Sequence, residues 1–134
     1  MIRIASLDHL VLTVADIERT TAFYARVLGM TPQRFVSGGI ERFAIVFGAQ
    51  KFNLHRSDRV IDANVRHATP GSADICLITS TPMSEVAEHL NACGVSIIEG
   101  PVQRTGAVGS LMSVYFYDPD ENLIEVSNAV KSLP

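Results

Sequence analysis

The chain has 134 residues, of which 47% are hydrophobic and 19% charged, and its formal net charge is −3. This length and composition predict one compact folded domain and exclude a disordered chain. The eleven Lys and Arg residues are scattered, so we expect neither nucleic-acid nor acidic-membrane binding. No terminal or internal apolar run suits a signal peptide or a membrane span, which predicts a cytoplasmic protein.

The first half of the chain reads as a strand, a helix and three further strands. Residues 8–14 alternate between apolar and polar, which is typical of a strand. Asp16 is placed to cap a helix that Gly29 closes. The three later strands are predicted at Gln33–Ser37, Arg42–Phe47 and Lys51–His55.

The second half repeats this order. Residues 73–79 alternate as a strand, and Pro82 is predicted as the first residue of a helix that closes at Gly94. Gly94 follows Gly29 at the spacing at which Asp74 follows His9, so the two halves share one offset. Further strands are predicted at Ser96–Glu99, Leu111–Tyr117 and Asn122–Ser127, with a mobile loop at Gly100–Gly109 and a solvated turn at Asp118–Glu121.

These elements predict an α+β fold built from two tandem βαβββ modules. We expect a single domain over residues 1–134, with module one at about 5–56, a linker at 57–71 and module two at about 72–128. Cys76 and Cys93 form no CxxC pair and are predicted to be reduced core residues.

Four polar residues interrupt the strands. A glutamate inside an apolar strand, as at Glu125, is costly unless it is paired, hydrogen-bonded or bound to a metal. Because side chains alternate along a strand, His9, His55 and Asp74 can also point away from the face that packs under a helix. If the two sheets curve into one cleft, these four side chains converge there, and a divalent metal is the candidate ligand.

Five motifs stand in a characteristic order: a strand histidine in residues 8–14, then FYARVLGM, KFNLH, PGSADICLI and YFYDPDENLIEV. This order resembles the vicinal-oxygen-chelate superfamily, which includes glyoxalase I, fosfomycin-resistance proteins, extradiol dioxygenases and bleomycin-binding proteins. The similarity spans residues 5–128 and is strongest to glyoxalase domain-containing protein 5 and to lactoylglutathione lyases of the glyoxalase I type. It implies a curved mixed sheet around a metal cleft, and a homodimer in which both chains complete each cleft.

The resemblance also implies a ligand set and a reaction. One divalent ion would be held by His9, His55, Glu125 and Asp74, with Ni, Zn or Co favoured and Fe or Mn possible. Asp74, the fourth residue of this set, stands where glyoxalase I has a histidine. Glu125 would also be the catalytic base of a lyase or isomerase, which moves a proton beside a carbonyl through an enediolate. The implied substrate is a 2-oxoaldehyde–thiol adduct, such as the hemithioacetal of methylglyoxal and glutathione.

Other functions stay open at this point. Two histidines and one carboxylate without Asp74 are typical of an Fe(II) ring-cleaving dioxygenase. A drug or antibiotic resistance protein, either a thiol transferase or a sequestering module, is a further alternative. The arginine that glyoxalase I uses to hold a glutathione carboxylate is replaced here by Thr13, and Arg34, Arg42 or Arg104 could supply that cation.

Overall fold

The computed structural model describes residues 1–59, 61 and 63–130. The chain divides into two compact units, Met1–Pro70 and Gly71–Pro134. Each unit holds one helix and one four-stranded mixed sheet, so the predicted α+β fold with two tandem βαβββ modules is confirmed. Within the described ranges, no helix has the length and apolar character needed to cross a membrane.

The first unit follows the predicted order of elements. Its strands pair in the spatial order β1-β4-β3-β2, with β1 parallel to β4 and the other pairs antiparallel. The last strand therefore lies inside the sheet, between the first strand and the third. The elements are β1 His9–Val14, α1 Ile17–Leu28, β2 Thr31–Ser37, β3 Ile40–Phe47 and β4 Gln50–Arg56.

Helix α1 covers one face of this sheet and leaves the other without a helix. The Asp16 side chain accepts a hydrogen bond from the Arg19 N–H at 2.9 Å, and Gly29 ends the helix in the left-handed conformation with φ 66°. Tyr24 is fully buried, and its ring packs edge-on against Phe52 at a centroid distance of 6.1 Å. Phe52 thereby marks the face of the sheet that packs under the helix.

The second unit repeats the arrangement in the order β5-β8-β7-β6, with β5 parallel to β8. Helix α2 packs against β7, and its buried residues Val86 and Leu90 share the core with Val114 and Phe116. The elements are β5 Asp74–Ile78, α2 Met83–Ala92, β6 Glu99–Thr105, β7 Ser110–Tyr117 and β8 Leu123–Ala129.

The position of β6 corrects the sequence prediction. The sequence predicts a strand at Ser96–Glu99 and a mobile loop at Gly100–Gly109, whereas β6 runs over Glu99–Thr105 and pairs with β7. The Gly-Pro pair marks a register shift at the start of this strand, where Gly100 has φ 104°. Pro101 is tolerated because β6 is an edge strand, which can lack a backbone N–H.

Two smaller predictions were also wrong. Pro82 is the N-cap of α2, one residue before the helix begins at Met83, and no side chain caps that end. Cys76 is a free thiol, as is Cys93, but it is exposed and not in the core. The period-two pattern explains the second error, because Cys76 shares the face of Asp74 and not that of the buried strand residues.

The turn before β8 is organised by a buried carboxylate. Asp118 is only 5% exposed, so the prediction that its charge is solvated was wrong. Its side chain accepts hydrogen bonds from the Asn122 backbone N–H at 2.9 Å and from the Asn122 amide at 2.8 Å. The Asn122 side-chain oxygen accepts in turn from the Ala73 N–H at 2.9 Å. These bonds fix where β8 begins beside β5, and hence where Glu125 lies.

Candidate functional site

Each sheet has a helix-free face, which is the face opposite its helix. In the first unit Leu12, Phe52 and Leu54 are buried on the helix side, so strand alternation assigns their neighbours to the helix-free face. Those neighbours, extended across the sheet by the strand pairing, include His9, Val11, Thr13, Lys51, Asn53, His55, Arg42, Ala44 and Phe35.

His9 lies at the start of β1 and is held by its neighbour. Its Nδ1 atom is 2.8 Å from the Asp8 carboxylate, and the imidazole is 42% exposed. A histidine held only by an adjacent acid is common in proteins without metal. The same contact also suits a ligand, because a carboxylate on one ring nitrogen orients the other toward a cation.

The strand register separates the two predicted histidine ligands. In the parallel pair β1–β4, His9 lies opposite Lys51, and His55 lies opposite Thr13. Four residues along a strand correspond to about 13 Å at roughly 3.3 Å per residue. The sheet therefore does not place His9 and His55 side by side.

His55 is partly buried and its environment favours the neutral imidazole. Burial lowers the pKa of His55, and the positive charge of Arg42 lowers it further, while the Asn64 side chain acts in the opposite direction. The Nδ1 atom is buried and has no hydrogen-bond partner among the described residues. A neutral imidazole with an unpaired nitrogen can accept a hydrogen bond or bind a cation.

Glu125 is the best-ordered candidate in the second unit. It lies partly buried in the middle of β8, and its Oε2 atom accepts a hydrogen bond from the Ser113 hydroxyl at 2.6 Å. The Ser127 hydroxyl lies 2.6 Å from that of Ser113 and 3.3 Å from the same Oε2 atom. The Glu125 carboxylate, which the sequence places inside an apolar strand, thus contacts two fully buried serines. Both serine contacts are to one oxygen.

The Glu125 network continues to a thiol on one side and a phenol on the other. The Cys76 sulfur lies 3.4 Å from the Ser127 hydroxyl. The residue is exposed overall, but partial burial of its thiol, followed by the nearby charge of Glu125, raises the pKa of this thiol. Burial is also the main cause that raises the pKa of Tyr115, and Glu125 adds to that effect. The Tyr115 hydroxyl accepts from Arg104 Nε at 3.0 Å.

Asp74 begins β5 on the face that carries Glu125. It lies opposite Leu123, while Cys76 lies opposite Glu125, so the two carboxylates are two residues apart in register. That offset is about 7 Å along the strands, a distance that two flexible carboxylates can share around one ion. Within the described residues, no three His, Cys, Asp or Glu side chains already form a cluster that could hold a metal.

The strand register reveals a residue that the sequence analysis missed. Glu125 lies opposite Cys76, two residues after Asp74, and Asn53 lies opposite Val11, two residues after His9. In the internal repeat the counterpart of Glu125 is therefore Asn53 and not His55. Its Oδ1 atom is buried and has no hydrogen-bond partner among the described residues. Aligning the halves through their last strands would have found it.

Two more distant solved structures share this fold. A lactoylglutathione lyase from Agrobacterium tumefaciens superimposes with TM-score 0.70 at 22% identity, covering 94% of this chain and 95% of that one. A mutant of the fosfomycin resistance protein FosX from Listeria monocytogenes, complexed with Mn(II) and 1S,2S-dihydroxypropylphosphonic acid, gives TM-score 0.62 at 24% identity, covering 96% and 93%.

Closer relatives cover nearly the whole chain. The chain is 51% identical over 124 residues to virulence protein STM3117 of Salmonella typhimurium, which covers 92% of this chain and 84% of that protein. The solved structure of integron cassette protein VCH_CASS1, from the mobile metagenome of V. cholerae, gives TM-score 0.92 at 50% identity, covering 97% of this chain and 99% of that one. A family model matches residues 6–126, and the chain belongs to the Glyoxalase/Bleomycin resistance protein/Dioxygenase superfamily.

Proposed function

We propose that this chain is a divalent-metal-dependent lyase or isomerase of the glyoxalase I type. The observation that carries the proposal is the arrangement of Glu125, a partly buried carboxylate whose Oε2 atom accepts the Ser113 hydroxyl bond at 2.6 Å. A catalytic base must point at the proton that it removes, and hydrogen bonds of this kind fix the orientation of a carboxylate.

Glu125 is proposed as the group that removes and returns the proton. With Oε2 accepting the Ser113 hydroxyl bond, the second oxygen, Oε1, would take the proton from a C–H bond next to a carbonyl, and Oε1 would have to be free of the metal at that point. Ser113 keeps the acid and its conjugate base in one orientation, because Oε2 still accepts the hydroxyl bond when Oε1 carries the proton, and the Ser127 hydroxyl lies 2.6 Å from that of Ser113.

The proposed metal ligands come from His9, His55, Asp74 and Glu125. Their imidazole and carboxylate groups suit Ni, Zn or Co, and also Fe or Mn. The contact between His9 and Asp8 at 2.8 Å fits an oriented ligand, and the register of Asp74 with Glu125 fits a shared ion. A bound cation would stabilise the negative charge that develops on an enediolate.

The proposed substrate is a 2-oxoaldehyde–thiol adduct, such as the hemithioacetal of methylglyoxal and glutathione. The similarity in fold to a lactoylglutathione lyase supports this reaction class. We extend the proposal to a homodimer, as the family resemblance implies, and to a location in the cytoplasm, as the sequence predicts. Light scattering of the purified protein tests the dimer.

The dioxygenase alternative needs a site of two histidines and one carboxylate, with Asp74 outside the ligand set. The strand register favours the set with both carboxylates, because Asp74 lies only two residues in register from Glu125 on the same face of the second sheet. A module that sequesters a drug would need no ordered base, whereas Glu125 is held at 2.6 Å by a buried hydroxyl.

The test begins with metal analysis of protein purified without chelator. The metal-free protein is then reconstituted separately with Ni²⁺, Zn²⁺ and Fe²⁺ and assayed on methylglyoxal plus glutathione. We expect activity with at least one of the first two ions. Oxygen consumption on catechols with Fe²⁺ alone would replace the lyase with the dioxygenase, and a protein that binds no divalent ion would refute both.

The variant Glu125→Gln separates the base from the fold. It keeps the side chain's size and a hydrogen-bond acceptor for Ser113, but it cannot take up a proton. We expect kcat to fall by about 10³-fold or more while the variant still folds. The matched control is Glu88→Gln on the exposed surface of α2, which should keep full activity. Near wild-type turnover in Glu125→Gln would remove Glu125 from the mechanism.

A further inference from the structure

Thr13 stands where an arginine would bind a carboxylate of the substrate, and Arg34, Arg42 and Arg104 are the candidates to replace that arginine. The contacts of the three side chains distinguish them. Arg34 is paired with Glu41 at 2.7 Å, and its side chain is 70% exposed. Arg104 is paired with Glu99 at 2.8 Å and bonded to the Tyr115 hydroxyl. Arg42 has neither kind of partner within the described residues, and its Nε atom is buried without a hydrogen bond.

Arg42 lies on the helix-free face of the first sheet, close to His55. Strands β3 and β4 pair with Phe43 opposite Leu54, so Arg42 and His55 are the next residues along, on the other face. His55 is in turn opposite Thr13. The positive charge of Arg42 lowers the pKa of His55, after the larger effect of burial, in agreement with this placement.

A second positively charged side chain, that of Lys51, lies close to the residue opposite Arg42. The Lys51 ammonium lies 4.1 Å from the centroid of the Phe35 ring, and Phe35 is directly opposite Arg42 in the β2–β3 pair. Two positive side chains thus border one aromatic ring. Within the described residues neither Arg42 nor Lys51 forms an ion pair, and the strands place no Asp or Glu on this face.

Buried hydrogen-bonding atoms without partners normally have a ligand or a water to satisfy them. Here three such atoms belong to neighbouring residues of one face: Arg42 Nε, His55 Nδ1 and Asn53 Oδ1. A partly buried guanidinium without a carboxylate is costly, and it binds planar or tetrahedral oxyanions through two parallel N–H bonds. The unpaired Arg42 Nε–H donor and the positive charge of this face therefore point to the same class of ligand, while Asn53 Oδ1, which is an acceptor, is available to a donor group elsewhere on that ligand.

From these contacts we infer that Arg42 and Lys51 form an anion subsite on the helix-free face of the first sheet. The ligand group is a carboxylate, phosphate or phosphonate of a small molecule, with Arg42 as its bidentate partner and Asn53 and His55 beside it. As a description of the substrate the inference rests on the proposed function, since the anion would anchor the molecule whose other end reacts.

Metal-free, ¹⁵N-labelled protein tests the subsite without any turnover. The probes are succinate, methylphosphonate and, as the neutral counterpart of succinate, succinamide, all at constant ionic strength. We expect the Arg42 Nε–H resonance to shift saturably with at least one anion and not with succinamide. The anion that binds more tightly identifies the ligand group as carboxylate or phosphonate.

Matched variants distinguish a specific anion site from a general effect of positive charge. Arg42→Gln should raise the Kd of the better anion at least about tenfold, which corresponds to about 1.4 kcal/mol, and Lys51→Met should raise it severalfold. Arg34→Gln makes the same change in net charge at a paired, exposed arginine, and should keep the Kd within about twofold. Arg42→Lys keeps the charge and should recover only part of the affinity.

The inference is overturned if no anion moves the Arg42 resonance, or if Arg34→Gln weakens binding as much as Arg42→Gln does. The wild-type resonance decides the matter even if Arg42→Gln fails to fold. The binding test uses metal-free protein. If no anion binds but the protein shows metal-dependent turnover, the anion subsite is rejected and the proposed function stands. If the anion binds but the protein has no turnover, the proposed reaction is rejected and the anion subsite stands.

Discussion

The side chains around Glu125 form a line of donors that ends at the carboxylate. The Cys76 thiol can donate to Ser127, Ser127 to Ser113, and Ser113 to Glu125 Oε2, with contacts of 3.4, 2.6 and 2.6 Å. In this direction each thiol or hydroxyl hydrogen makes one hydrogen bond, and the negative charge of Glu125 lies at the end of the line. The sequence shows only a glutamate inside a strand, whereas the structure shows that its cost is offset by buried hydroxyls.

The state of Cys76 reports on Glu125. Burial and the carboxylate charge raise the pKa of this thiol, so less reactive thiolate is present at pH 8 than in an ordinary cysteine. Removing the charge in Glu125→Gln lowers the pKa again, and alkylation of Cys76 by iodoacetamide in metal-free protein should become about two- to fivefold faster. Peptide mass spectrometry measures the rate, with Cys93 as the internal control. An unchanged or slower Cys76 rate would contradict the network.

At the scale of elements, the edge strand β6 supports the strand that carries Ser113. Val102 lies opposite Ser113, and Gly100 begins the irregular part of β6 with φ 104°. A Cβ atom at Gly100 would collide with the backbone carbonyl oxygen of Ser113. A glycine is therefore required here for space as well as for conformation.

The variant Gly100→Ala tests this contact. It should lower the free energy of unfolding by about 2 kcal/mol more than Gly38→Ala does. Gly38 also has positive φ, 60°, but a Cβ atom there would meet no heavy atom within 4 Å. Urea unfolding followed by circular dichroism measures both variants. Equal losses would mean that the close approach to Ser113 has no energetic consequence.

The elements that local patterns define could be predicted from the sequence, and pairings between distant strands could not. Strand β1, helix α1 with its Asp16 and Gly29 ends, and the repeat were predicted because they depend on neighbouring residues. The register of β1 against β4 depends on how a parallel pair forms across some forty intervening residues. That register, which no local pattern contains, is what separates His9 from His55 and brings Asn53 into the repeat.

At the scale of the whole molecule, the proposed cation would link the site to stability. A ligand that binds only the folded chain raises the free energy of unfolding, by about 2.7 kcal/mol at 100 times its Kd. We expect the activating ion to raise the Tm of the wild-type protein and of Glu88→Gln equally, and to raise that of His9→Ala and Asp74→Asn much less. Differential scanning calorimetry of metal-free protein with added ion measures this. A full shift in His9→Ala would exclude His9 as a ligand.

The position of the last strand in each sheet also governs the order in which a newly synthesised chain can fold. Strand β4 lies between β1 and β3, and β8 lies between β5 and β7. Until Gln50–Arg56 has left the ribosome, β1 has no neighbour in its sheet, and the hairpin of β2 and β3 can form without it. In each half the candidate site residues therefore come together only when the last strand of that half joins its sheet.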